Sequence, residues 1–179
     1  MRRRCLLLLA ALTLGACGFH LRRSLVLPSS LRHIHLRVSG NGDLRRYLAR
    51  ALKTMGITVE EQGGQGIAEL DVIMAHFSTD SLSINAVARV TEYAVHYHVA
   101  FMFKDGAGKL LIPVQHINMS REYSYNASDA VGSQTEMAQL QENLNNDMVR
   151  TILLRLEAAV QTSTPVSQGH ATAPMVSGH

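Results

Sequence analysis

A chain of 179 residues, 46% of them hydrophobic, can bury one substantial core but is short for several domains. Its 17 basic and 14 acidic side chains give a formal charge of +3. Three of the arginines stand in the first four residues, so charge gives no support to nucleic-acid binding.

Those arginines open the first element. Arg2, Arg3 and Arg4 precede an apolar run, Leu6 to Leu14, which ends in small residues. A positive head, an apolar core and a small-residue end make a secretory leader. The run falls short of the roughly 20 apolar residues that a membrane span needs. Leu14-Gly15-Ala16-Cys17 is further identified as a lipobox, which predicts cleavage before Cys17 and lipidation of its thiol. Losing residues 1–16 removes Cys5 and three of the 17 basic residues, leaving 14 of each sign. No disulfide within one mature chain and no cysteine-ligated metal site is then expected. A diacylglycerol plus an N-acyl chain exceeds the two signals needed for stable membrane attachment. Gly18 stands where an Asp commonly retains lipoproteins at the inner membrane, so the predicted location is the outer membrane, anchored at Cys17 and facing the periplasm.

Residues 17–31 read as a lipidated N-terminus and linker containing Pro28. From Arg32 to Val38 the chain alternates: Ile34, Leu36 and Val38 on one side, His33, His35 and Arg37 on the other, as in a half-buried strand. Gly40-Asn41-Gly42 breaks it, and Asp43 is a suitable N-cap for a helix that buries Leu44, Tyr47, Leu48, Ala51, Leu52 and Met55 and stops at Gly56. Arg45, Arg46, Arg50 and Lys53 share the opposite face, read as solvated, with anionic lipid as the alternative contact. Gly63-Gly64-Gln65-Gly66 is a turn rather than a phosphate loop, because no suitably spaced helix follows.

Three long strands come next. The first starts at Ala68, alternates through Leu70, Val72 and Met74, and extends past Phe77 to Leu82 and Ile84. The second puts Thr91, Tyr93, Val95, Tyr97, Val99, Phe101 and Phe103 on one face and Glu92, Ala94, His96, His98, Ala100, Met102 and Lys104 on the other. After the turn Asp105-Gly106-Ala107-Gly108, the third runs from Leu110 to Tyr125. Short turns make these an antiparallel meander. Ser133 and Glu136 fit a capping box for a long helix with the stripe Leu140, Leu144, Met148, Ile152, Leu156 and Val160. Residues 162–179, rich in Ser, Thr, Pro and Gly, receive no structure. The predicted domain, 32–161, is α+β: a two-layer sandwich with two helices on one face of a four-stranded, mostly antiparallel sheet.

Chemical motifs are sparse. His33/His35 and His96/His98 each project to one strand face, and His116 or Glu92 would complete a metal set, but there is no HExxH. There is no GxSxG and no free thiol, so no catalytic residue, no cofactor and no enzymatic activity is predicted. The polar strand face suits either solvent or the interior of a water-filled partner.

Cys17-Gly18-Phe19-His20-Leu21-Arg22, directly after the lipobox, resembles the start of the LptE (RlpB) lipopolysaccharide-assembly lipoproteins. The likeness continues in Thr91-Glu92-Tyr93 opening a long strand, in Arg121 with Tyr123 and Tyr125 before the last helix, in Asp147-Met148, and in Leu153-Leu154-Arg155-Leu156. It covers Cys17 to about Val160 and implies two helices on a four-stranded sheet. The family pairs with LptD, a large outer-membrane β-barrel. The resemblance therefore implies a subunit that plugs the barrel lumen, assists barrel assembly and helps deliver lipopolysaccharide to the cell surface. Phosphates of that lipid call for basic side chains at sheet ends or loops. Arg37, Arg89, Lys104, Lys109 and Arg121 are the candidates, while Gln141 and Glu142 stand where the family has Lys near the start of the last helix. The other reading is a free-standing lipoprotein that binds a small ligand, or a metal through His96 and His98.

Overall fold

Alternation in the first strand, β1 (His33–Val38), turns Ile34 and Leu36 into the core and His33 outward. The computed structural model describes residues 31–84, 86, 90–126 and 129–163. After β1 come helix α1 (Gly42–Thr54), β2 (Thr58–Glu60), β3 (Ala68–Ile84), β4 (Val90–Lys104), β5 (Leu110–Ser124) and helix α2 (Ala130–Ser163). The sheet order is β2-β1-β3-β4-β5. β3, β4 and β5 form the expected antiparallel meander, whereas β1 pairs parallel to both β2 and β3. The sheet thus has five strands rather than four. The added strand is only three residues long, too short for alternation to register.

Both helices cover one face. α1 buries Leu44, Leu48 and Leu52, and α2 buries Leu144, Met148, Ile152 and Leu156. Opposite them lie Val95, Tyr97, Val99, Phe101 and Phe103 of β4, the predicted inward set. One core runs from Leu31 to Val160.

Four local expectations are corrected. Asn41, not Asp43, caps α1: its extended backbone lets Oδ1 accept from the Asp43 N–H at 3.0 Å and the Leu44 N–H at 3.2 Å. α2 begins three residues before Ser133, because Asp129 supplies the capping oxygen, its Oδ1 accepting from the Gly132 N–H at 2.9 Å. Ser133 then lies inside the first turns and donates its hydroxyl back to the Asp129 carbonyl at 3.0 Å. The helix also continues through Ser163, two residues into the stretch read as tail. Finally, Met74 is exposed, because a bulge between Val72 and Met74 shifts the phase and puts Ala75 and Phe77 on the helix side.

At the centre, three side chains from three elements close a polar triangle. Asn41 Nδ2 donates to the Tyr97 hydroxyl at 2.9 Å and to Asn145 Oδ1 at 3.2 Å, and the Tyr97 hydroxyl donates to the same Asn145 oxygen at 2.9 Å. The cap of α1, the middle of β4 and the middle of α2 are therefore tied together inside the core. The Tyr97 ring stacks on Phe77 at 3.9 Å between centroids. Among the described residues no buried side-chain polar atom lacks a partner. The approach of the β1–α1 connection requires Gly40, with φ +97°, since a Cβ there would lie 2.5 Å from the Ala75 carbonyl oxygen.

Burial pushes the Tyr97 phenol well above its ordinary value. Below about pH 10 both folded and unfolded chains keep it protonated. Above that pH the unfolded chain ionises first, so stability falls as pH rises. Tyr97→Phe is expected to cost about 1–3 kcal/mol at pH 7 by leaving Asn145 and Asn41 under-bonded, and to flatten the alkaline fall. Urea melts at pH 7 and pH 10.5 check both.

Candidate functional site

With both helices on one side, the other sheet face carries the chemistry. β1 contributes His33, His35 and Arg37, β3 contributes Glu69 and Asp71, and then, past the bulge, His76, Ser78 and Asp80. β4 adds Glu92, His96, His98 and Lys104, and β5 adds His116, Asn118, Ser120 and Glu122.

The basic candidates do not converge on one site. Arg37 and Lys104 lie on this face and are held by carboxylates on the strand between them. Arg37 donates to both oxygens of Asp71 and lies 3.6 Å from Glu69, whose other oxygen lies 3.5 Å from Lys104. The hydrogen bond donated to Asp71, and then the charges of Asp71 and Glu69, raise the Arg37 pKa further above its already high value. Asp71 is 6% exposed, so Arg37 is the counter-charge that permits its burial. Arg121 points to the helix side instead and pairs with Asp147 of α2 at 3.2 Å. Lys109 sits in the β4–β5 turn, where its backbone N–H donates to Asp105 Oδ1 at 2.9 Å, and its exposed ammonium makes no ion pair among the described residues. Cys17 and Arg89 lie outside the described residues.

The histidines form a ladder rather than a chelate. His76 and His98 are cross-strand partners whose rings stack at 5.1 Å, and His96 lies 6.1 Å from His98. His96 Nε2 is 3.2 Å from Asp80, and His98 Nδ1 is 2.9 Å from Asn118 Oδ1. Stacked rings aim their nitrogens at neighbours along the sheet. Among the described residues no three His, Cys, Asp or Glu side chains are placed to hold one metal ion.

Two features escaped the sequence reading. A cleft of about 570 Å³ opens between the start of α1, β3 and α2, with Asn41, Tyr47, His76, Gln141, Glu142 and Asn145 among its walls. At the far end Tyr93 stacks on Tyr123 and meets Tyr125 edge-on, both at 5.6 Å, and burial first, then these neighbours, raises the Tyr123 pKa. The tyrosines were visible as residues, but their convergence depends on strand register.

The family model for LptE, lipopolysaccharide-assembly, matches residues 31–156, which span every strand and most of both helices. An LPS-assembly lipoprotein LptE of Yersinia pestis is 27% identical over 187 aligned positions, covering 96% of this chain and 88% of the relative. One of Photorhabdus laumondii is 24% identical and covers 87% of each chain. Two solved structures share the fold. Rare lipoprotein B of Shewanella oneidensis superposes with a TM-score of 0.64 at 18% identity, covering 73% of this chain and 97% of that one. An uncharacterised lipoprotein B of Nitrosomonas europaea gives 0.66 at 22% identity, covering 79% and 91%.

Removing Arg37 strands a buried carboxylate, whereas removing Arg121 breaks a pair whose members are 57% and 46% exposed. Arg37→Ala is expected to cost about 2–3 kcal/mol and Arg121→Ala less than about 1 kcal/mol. Thermal and urea unfolding of the two variants check this, and equal losses would contradict it.

Proposed function

The chain belongs to the LptE lipopolysaccharide-assembly family, and on that premise we propose that it is the lipoprotein subunit of the outer-membrane lipopolysaccharide translocon. It is anchored through acyl chains on Cys17, enters the lumen of an LptD-like β-barrel as a plug, assists assembly of that barrel and helps deliver lipopolysaccharide to the cell surface. The observation that carries this is the family match over residues 31–156, nearly all of the two-layer domain.

The surface chemistry supports the reading. The outer sheet face is rich in His, Ser, Asn and paired charges, and the lumen of a transmembrane barrel is likewise polar. Arg37, Lys104 and the acids between them neutralise one another, so this part of the face enters a confined space without an uncompensated charge. Among the described residues no helix is long and apolar enough to cross a membrane. The reading uses no cofactor and no catalytic centre.

Contact with lipopolysaccharide phosphate is proposed at the five basic candidates, Arg37, Arg89, Lys104, Lys109 and Arg121. For Arg37, Lys104 and Arg121 a phosphate would have to displace a carboxylate partner. Lys109 presents its ammonium without that competition.

Mild-detergent purification of the tagged lipoprotein from outer membranes is expected to bring down a large β-barrel at one-to-one stoichiometry, and depletion of the lipoprotein should remove that barrel from the membrane. A lipoprotein that elutes alone would contradict the proposal and leave the ligand- or metal-binding alternative, tested by zinc titration of the His96 and His98 ladder.

A further inference from the structure

The exposed face of α1 is a basic ledge. Arg45, Arg46, Ala49, Arg50, Lys53 and Thr54 line one shallow groove along the helix, and no acidic side chain lies within it. Among the described residues only Arg46 of this set is ion-paired, with Asp43 in the first turn. Arg50 lies 6.0 Å from the centroid of the Tyr47 ring, at the helix flank. Arg45, Arg50 and Lys53 are exposed and make no ion pair among the described residues. In a chain with equal numbers of basic and acidic residues after Cys17, three uncompensated cations within nine positions are a local asymmetry, not a reflection of overall charge.

The ledge also has a defined place. Leu31, where the described chain begins, is buried in a pocket with Leu52 and Met55 of the last turns of α1 and with Ile57. Leu31 thus lies at the C-terminal end of α1, the end of the ledge that holds Lys53. Fourteen positions separate Cys17 from Leu31, and fully extended they span at most about 50 Å. A domain tethered at Cys17 keeps this face within reach of the bilayer.

We propose that the α1 ledge docks the domain onto anionic phospholipid headgroups of the bilayer that anchors it, setting its orientation at the membrane. Orientation by the ledge rests on the anchored reading above, but attraction between ledge and lipid does not. Each basic residue held at an anionic surface strengthens binding about five-fold, so Arg45, Arg50 and Lys53 together supply on the order of a hundred-fold, lost as salt screens them.

The chain from Gly18 onward, which has neither leader nor acyl chain but keeps the whole core from Leu31 to Val160, is floated with vesicles. Those of phosphatidylcholine alone are compared with those carrying about a third phosphatidylglycerol. Binding at low salt is expected to be at least ten-fold stronger to the anionic vesicles. It should be abolished by combined Arg45→Gln, Arg50→Gln and Lys53→Gln with unchanged melting temperature. It should survive Arg150→Glu combined with Asn143→Glu, which lower the net charge by the same three units at exposed positions of α2. Equal binding to both vesicle types, or equal loss in both combined variants, would overturn the proposal. So would loss of a co-purifying protein partner in the ledge variant with vesicle binding intact or absent, which would assign the ledge to that protein. Failure of barrel co-purification with anionic-vesicle binding intact would sink the translocon reading and leave the ledge standing.

Discussion

The arrangement depends on the hydrogen-bonded triangle of Asn41, Tyr97 and Asn145. A buried amide or phenol without a partner costs about 1–3 kcal/mol, and here each group finds its partner on a different element. Close packing of the apolar side chains sets the approximate placement of α1 and α2 on β4. The triangle selects one position for both, since Asn41 caps α1 with its oxygen while its nitrogen reaches Tyr97 and Asn145. Local helix initiation and global layer registry therefore rest on one side chain.

The candidate surface is a consequence of that packing. Two helices fixed on one side of a five-stranded sheet leave the other side uncovered, and the strand period then decides what is displayed there. Apolar side chains interrupt that side, Ile73, Met74, Ala94, Ala100 and Met102 among them, and imidazole, hydroxyl, amide and charged groups lie between them. The acids Glu69 and Asp71 sit between Arg37 and Lys104, so this end of the face is close to neutral although it looks basic when residues are read one strand at a time. The cationic character of the domain is displaced to α1, on the opposite side and near Leu31.

Period and punctuation made much of the fold legible. The alternation of β4 is unbroken from Val95 to Phe103, so its inward set follows from the sequence and is buried in the structure. The stripe of α2 at four-residue steps and the Gly56 stop of α1 are equally direct. What failed has physical causes. β2 is shorter than one alternation. The bulge at Ile73 changes the phase of β3 without a Gly or Pro to announce it. Asn41 and Asp129 displaced the nearby Asp43 and Ser133 as caps because several residues in each turn offer a suitable oxygen, and tertiary contacts choose among them. The candidate site was less legible, since pairing between Arg37 and Asp71, or Arg121 and Asp147, joins residues 34 and 26 positions apart. Only the strand register and the helix placement reveal that these charges are already engaged.

The central claim is that the polar sheet face is the surface enclosed by a barrel. Photocrosslinking from this face in intact outer membranes tests it most directly, with a photoreactive side chain placed at His116 or Ser120 of β5, both exposed. The account predicts an adduct with a single large β-barrel protein from both positions, and none with the barrel from Thr54 on the α1 ledge. Adducts from Thr54 alone, or no adduct from either β5 position while the lipoprotein still co-purifies with the barrel, would contradict it.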